Sequence, residues 1–86
     1  MIMNTIVDKS RTAARVRAII VEKLGVEEAV LTEKAAFADD LAIDSLDVLA
    51  TLMAMEKEFN IKITDEDTEK LTTVGSVISY IKERTR

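Results

Sequence analysis

The chain has no cysteine, no histidine, no tryptophan and no proline, and only two glycines among its 86 residues. Without cysteine there is no disulfide and no thiol nucleophile, and the redox compartment is left open. Without histidine as well, Ser-His-Asp catalysis and the usual zinc sites are excluded. Gly25 and Gly75 stand alone, so there is no glycine-rich phosphate loop, and no Gly-x-Ser-x-Gly elbow surrounds any serine. Nothing in such a chain catalyses a reaction unaided, so it is not expected to be an enzyme. So little proline and glycine favours long helices over strands and turns. No apolar run approaches the ~20 residues of a membrane span. The start, Met1-Ile2-Met3-Asn4-Thr5, lacks a basic segment backed by a long apolar one. No signal peptide is expected, and a cytoplasmic location is the default.

What is present is 48% hydrophobic and 33% charged, the composition of a globular protein with a modest core, expected as a single domain over residues 1–86. The net charge of −4 conceals an asymmetry. Residues 39–69 hold ten acids against Lys57 and Lys62, a net of −8, whereas residues 1–38 carry +1 and residues 70–86 carry +3. An acidic centre repels nucleic acid and anionic lipid and attracts basic protein surfaces; a merely solvated face is the plainer alternative. The acids of residues 65–69 invite a calcium reading, but a loop begun at Asp65 meets Lys70 where an EF-hand needs glycine and Ser76 where it needs glutamate. No dedicated metal site is expected, only weak divalent binding that relieves crowded charge.

Hydrophobic spacing predicts a first helix that starts somewhere in residues 4–12 and runs to Leu24, with Ala13, Val16, Ile20 and Leu24 on one side and Gly25 ending it. Residues 26–43 show no clean period; Val30, Leu31, Phe37, Leu41 and Ile43 suggest a long loop pinned to the core, with room for one helical turn. Loops this long are uncommon in small domains and often functional. A second helix over residues 45–59 is apolar on most sides: Leu46, Leu49 and Met53 form one stripe, Val48, Leu52, Met55 and Phe59 another, and Asp47, Thr51, Ala54 and Glu58 a thin polar edge. That pattern predicts a helix central to a bundle. Asn60 ends it, and Ile61 and Ile63 are expected to point inward. Thr64 with Asp67 predicts a capping box for a short helix over residues 65–70. Thr72 or Thr73 caps a fourth, with Val74, Val77, Ile78 and Ile81 sharing a face and Lys82, Arg84 and Arg86 at its negative end. The expected fold is all-α: a small four-helix bundle of three longer helices and a short third, with a long loop between helices one and two.

The chain turns on Asp39-Asp40-Leu41-Ala42-Ile43-Asp44-Ser45-Leu46-Asp47, where that loop becomes the second helix. Asp44 is a favoured N-cap residue, and Asp47 follows three positions on, as in a capping box. Ser45 then takes the first helical position, its hydroxyl beside unpaired backbone N–H groups. A phosphate ester there lies at the positive end of the helix dipole. An ordinary helix cap is the alternative for those residues alone.

Asp-Leu-x-x-Asp-Ser-Leu-Asp, followed by the apolar helix ending Met55-Glu56-Lys57-Glu58-Phe59, resembles the acyl carrier protein family. The likeness continues through residues 61–67, residues 70–74 and Tyr80-Ile81, and upstream through Val16, Ile19, Ile20, Leu24, Gly25 and Val26, covering roughly residues 12–82. Three residues depart from the family pattern: Ala42 stands where glycine is usual, Ala50 where the fatty-acid carriers usually have glutamate, and Thr64 where proline is common.

The resemblance implies a carrier that holds acyl intermediates as thioesters on a 4′-phosphopantetheine arm, derived from coenzyme A and attached to Ser45. Asp44 is expected to cap the helix and help present the serine, and Leu46 to anchor the helix start in the core. Asp47, Glu56, Glu58, Asp65, Glu66, Asp67 and Glu69 are the expected docking surface for partners. These are a phosphopantetheinyl transferase and enzymes that load, elongate or transfer acyl groups in fatty-acid, lipid or polyketide-type synthesis. Leu49, Leu52, Met53, Ile63 and Ile78 are the expected acyl-chain pocket. The carrier is expected to be a monomer that binds no nucleic acid and does not insert stably into membranes. An aminoacyl or peptidyl carrier, or a helical interaction module without a prosthetic group, are the alternatives. Ala50 suggests a specialised carrier, not the general one of fatty-acid synthesis.

Overall fold

The computed structural model describes residues 4–85, with side chains described from Arg11 onward. Four helices make up the fold: α1 (Asn4–Leu24), α2 (Ser45–Phe59), α3 (Asp65–Thr68) and α4 (Val74–Arg84). Among the described residues there is no strand, and the expected all-α bundle is what forms. The first helix already runs at Asn4, where the described residues begin, and continues to Leu24 as expected. It stops at Gly25, whose φ of +68° is the left-handed conformation that glycine reaches without steric cost, and whose N–H donates to the Val21 carbonyl at 2.9 Å.

One hydrophobic cluster fills the interior: Val16 and Ile20 from α1, Leu52 and Met55 from α2, and Val74, Val77, Ile78 and Ile81 from α4. The connection after α1 adds Leu31, Ala35 and Phe37, and the segments flanking α3 add Ile63 and Leu71. Helix α1 packs against both α2 and α4, so each of those has one covered side.

That arrangement overturns one expectation. Leu46, Leu49 and Met53, the first apolar stripe of α2, face outward with exposures of 70%, 40% and 54%. The helix is a flank of the bundle, not its centre, and only the stripe of Leu52 and Met55 enters the core, with Val48 and Phe59 at its margin. Thr51, expected on the polar edge, is buried instead. Its hydroxyl is satisfied by donating to the Asp47 carbonyl at 2.8 Å.

The long connection is pinned as expected, with a 3₁₀ turn at Glu28–Val30, although Val30 itself points outward. Its anchorage is main-chain. Phe37 N–H donates to Thr72, Val74 N–H to Ala35 and Gly75 N–H to Glu33, at 2.9–3.0 Å. These bonds satisfy two of the orphan donors at the start of α4. Gly75 is required for this approach, because a Cβ there would lie 2.7 Å from the Glu33 carbonyl oxygen.

Thr73, not Thr72, caps α4, in a full capping box with Ser76. The box expected at α3 forms by half: Thr64 Oγ1 accepts from Asp67 N–H at 3.1 Å, but the Asp67 carboxylate is committed elsewhere. Helix α3 is accordingly one turn long, shorter than expected, and buries no residue. Asn60 ends α2 at φ +54°, and Ile63 is buried while Ile61 is half-buried.

Candidate functional site

The loop before α2 is tied to itself. The Asp40 carboxylate accepts from Ala36 N–H at 2.8 Å, Leu41 N–H donates to Ala36, and Ile43 N–H donates to Phe37 at 2.8 Å. Leu41 and Ile43 tuck against the core, and Ala42 between them takes the left-handed conformation, φ +54°. The turn delivers Asp44 in extended conformation and Ser45, exposed, as the first residue of α2.

Asp44 stands at the N-cap but caps through its main chain alone. Its carbonyl accepts from Asp47 N–H at 3.0 Å and Val48 N–H at 3.1 Å, while its carboxylate makes no cap bond. The expected side-chain cap is therefore absent, and its place at the Asp47 N–H is taken by the Asp44 carbonyl. The N–H groups of Ser45 and Leu46 have no helical carbonyl one turn back. Ser45 Oγ therefore sits in solvent at the positive end of a fifteen-residue helix. Leu46, expected as a core anchor, is among the most exposed apolar side chains described. The anchoring falls to Leu41 and Ile43, upstream of the serine.

The seven expected docking acids divide. Asp47, Asp65, Glu66 and Glu69 are exposed. Glu56 is a brace: its carboxylate accepts from Ile63 N–H at 2.7 Å and holds the segment after α2. Glu58 pairs with Arg15, whose guanidinium also lies 5.5 Å from the centre of the Phe59 ring. Asp67 accepts from the Tyr80 hydroxyl at 2.7 Å and from Arg84 at 3.3 Å. The Tyr80 hydrogen bond holds the Asp67 carboxyl below its ordinary range. Burial, reinforced by donation to Asp67, pushes the Tyr80 phenol up. Arg84 also covers the Tyr80 ring, 4.2 Å from its centre.

The five expected pocket residues divide too. Leu52, Ile63 and Ile78 lie in the packed core, while Leu49 and Met53 face out on the far side of α2. At 100° per residue, Leu49 and Met53 follow Leu46 and not Met55. A separate cleft of about 310 Å³ opens between α1 and α2, lined by Ile19, Glu22, Lys23, Ala54, Lys57 and Glu58. It begins nine residues after the serine, about 14 Å along the helix.

A family model described as phosphopantetheine attachment site matches residues 14–81. The chain belongs to that family. The match nearly coincides with the span of the resemblance read from the sequence, and 4′-phosphopantetheine is the cofactor that the family attaches covalently. Domains of this family are in general not catalysts themselves and work with a phosphopantetheinyl transferase and partner enzymes. Among the described residues, no helix is long and apolar enough to cross a membrane.

Proposed function

We propose that the protein is an acyl carrier whose phosphopantetheine arm is attached through Ser45 Oγ. The observation that carries this reading is the serine's position, exposed at the first residue of α2, on a turn braced from behind by Leu41, Ile43 and the Asp40 carboxylate. The residues present fit the arm: Ser45 is exposed, and a phosphodiester there lies beside the Ser45 and Leu46 N–H groups, which have no helical carbonyl to bond. When attached, the arm supplies the thiol that this cysteine-free chain lacks. The protein's own residues do the rest: Ser45 holds the phosphodiester, and the loop before it fixes where the arm emerges.

Docking is assigned to the outer face of α2. Leu46, Leu49, Ala50 and Met53 form an exposed apolar strip, with Asp47 beside it and Asp65, Glu66 and Glu69 exposed on and after α3. A partner with a shallow apolar depression rimmed by basic residues complements it, the apolar centre supplying affinity and the rim steering association. Asp44 and Leu46 are the nearest contacts for the transferase. Ala50 supports a specialised carrier.

Incubating the purified protein with coenzyme A and a phosphopantetheinyl transferase tests this by intact mass. Wild type gains one phosphopantetheine, whereas Ser45→Ala stays folded and unmodified. Attachment at another residue, or none with several transferases, overturns it. Mass analysis of the cargo on protein from its native host then separates acyl from aminoacyl loading.

A further inference from the structure

Helix α2 carries two methionines in opposite surroundings. Met55 is fully buried, while Met53 is 54% exposed. Two residues along a helix is about 200° of rotation, so the two thioethers face opposite sides. Met53 follows Leu46 and Leu49 at helical spacing, and these three are among the four large apolar side chains described as exposed. Its thioether is thus open to solvent within the apolar strip.

We propose that Met53 is a reversible oxidation site that weakens docking at this face. The proposal rests on the assignment of that face to partner docking. The oxidant is a peroxide of the hydrogen peroxide class. Its O–O bond breaks, one oxygen bonds to the Met53 sulfur, which loses two electrons, and the other oxygen leaves as water with both hydrogens. The sulfoxide replaces a flexible apolar side chain with a polar, chiral one. A thiol-dependent sulfoxide reductase restores the thioether: two of its thiols are oxidised to a disulfide, and their hydrogens leave with the oxygen as water. Ser45 lies eight residues away, about 12 Å along the helix, so the attachment chemistry itself is untouched. Met55 is shielded by the core.

The test is limited treatment of the purified protein with dilute hydrogen peroxide, followed by peptide mass mapping and transferase kinetics. Met53 gains one oxygen before Met55 does. The KM for the oxidised protein rises roughly fivefold, the scale of losing one interface anchor, with kcat and Tm nearly unchanged. Met53→Gln imitates the oxidised protein, Met53→Leu is indifferent to peroxide, and sulfoxide reductase restores the original KM. Met1 and Met3 lie outside the described residues; their oxidation is common to wild type and Met53→Leu, and so cancels. Equal oxidation of Met53 and Met55, or an arm accepted with the same KM before and after oxidation, overturns the proposal alone. An unoxidised protein that accepts no arm overturns the carrier reading and this proposal with it.

Discussion

The Tyr80 hydroxyl donates to the Asp67 carboxylate at 2.7 Å, joining α3 to α4. Helix α3 buries no residue of its own, so this bond, supported by Arg84, is its main side-chain tether to the bundle. The same bond explains why Asp67 does not complete the capping box with Thr64.

The tether has a pH signature. The folded carboxyl of Asp67 is held below its ordinary value, chiefly by Tyr80, so its contribution is complete above the unfolded value of about 3.9 and disappears as pH falls through the lower folded value. Tyr80 runs the other way. Its raised phenol pKa gives a contribution complete below about 10 and lost as pH rises through the folded value. Asp67→Asn and Tyr80→Phe are each expected to lower Tm by a few degrees at neutral pH. The Asp67→Asn deficit should vanish in strong acid and the Tyr80→Phe deficit in strong base. Deficits that hold across the whole range mean that packing, not this ionic bond, tethers α3.

Backbone conformation yields a second set of outcomes. Ala42 stands at φ +54°, where a residue with a Cβ costs about 1–2 kcal/mol. Ala42→Gly relieves this, and after the extra freedom gained by the unfolded chain it should stabilise by up to about 1 kcal/mol. Gly25→Ala should cost about 1 kcal/mol for its φ of +68° alone, since nothing lies within 4 Å of the new methyl. Gly75→Ala should cost more than Gly25→Ala, because its methyl meets the Glu33 carbonyl that Gly75 itself binds. Urea midpoints at constant slope measure all three. A destabilised Ala42→Gly contradicts the strain.

These positions also show what was legible beforehand. The four helices, the end at Gly25, the stop at Asn60 and the buried face of α4 follow from spacing and turn chemistry, which act locally. The glycine usual at position 42 had a visible pattern and an invisible cause, the left-handed turn. Leu46, Leu49 and Met53 point outward, against the expectation from spacing, because periodicity reveals apolar faces but not how many neighbours cover them. Here α1 covers one side of α2, so a helix with two apolar stripes leaves one outside. Glu56, Glu58 and Asp67, expected on the docking surface, are committed instead to Ile63, Arg15 and Tyr80, partners that are distant in sequence or, for Ile63, a backbone donor that no side-chain pattern reveals. The pinning of residues 33–37 onto α4 is likewise main-chain. Only the isolation of Gly75 at a helix start hinted at it.

The divided acids should separate stability from docking. Asp47→Lys should slow transferase association and flatten its salt dependence, since exposed charges act across about 8–10 Å at physiological ionic strength, while lowering Tm only slightly for the loss of an acid in the first turn of α2. Glu56→Ala should do the reverse. It removes the acceptor for Ile63 N–H and should cost about 1–3 kcal/mol in urea unfolding, with association rates kept. Kinetics indifferent to salt and to Asp47→Lys would make the acidic surface a solubility feature.

Substituting Ala50 tests the proposal that this carrier is a specialised one. Ala50 is exposed on the outer face of α2, between Leu46 and Met53, where the fatty-acid carriers usually present a carboxylate. With alanine there, the strip from Leu46 to Met53 is an uninterrupted apolar surface, and the nearest helical acid is Asp47. An enzyme built to pair a basic side chain with a carboxylate at this position meets none, and its own charge is left desolvated and unpaired on docking. The missing ion pair alone is worth about 0–1 kcal/mol when exposed. The unpaired charge adds to that, and the small methyl admits a partner that fills the space instead. Malonyl-loaded wild type is therefore expected to be a poor substrate in a reconstituted fatty-acid synthase, and Ala50→Glu a better one, with the gain appearing in KM and declining as salt rises. Because the residue is exposed and helical, the substitution leaves the fold intact, and unchanged Tm checks this. If wild type supports elongation as well as Ala50→Glu does, the protein belongs with the general carriers.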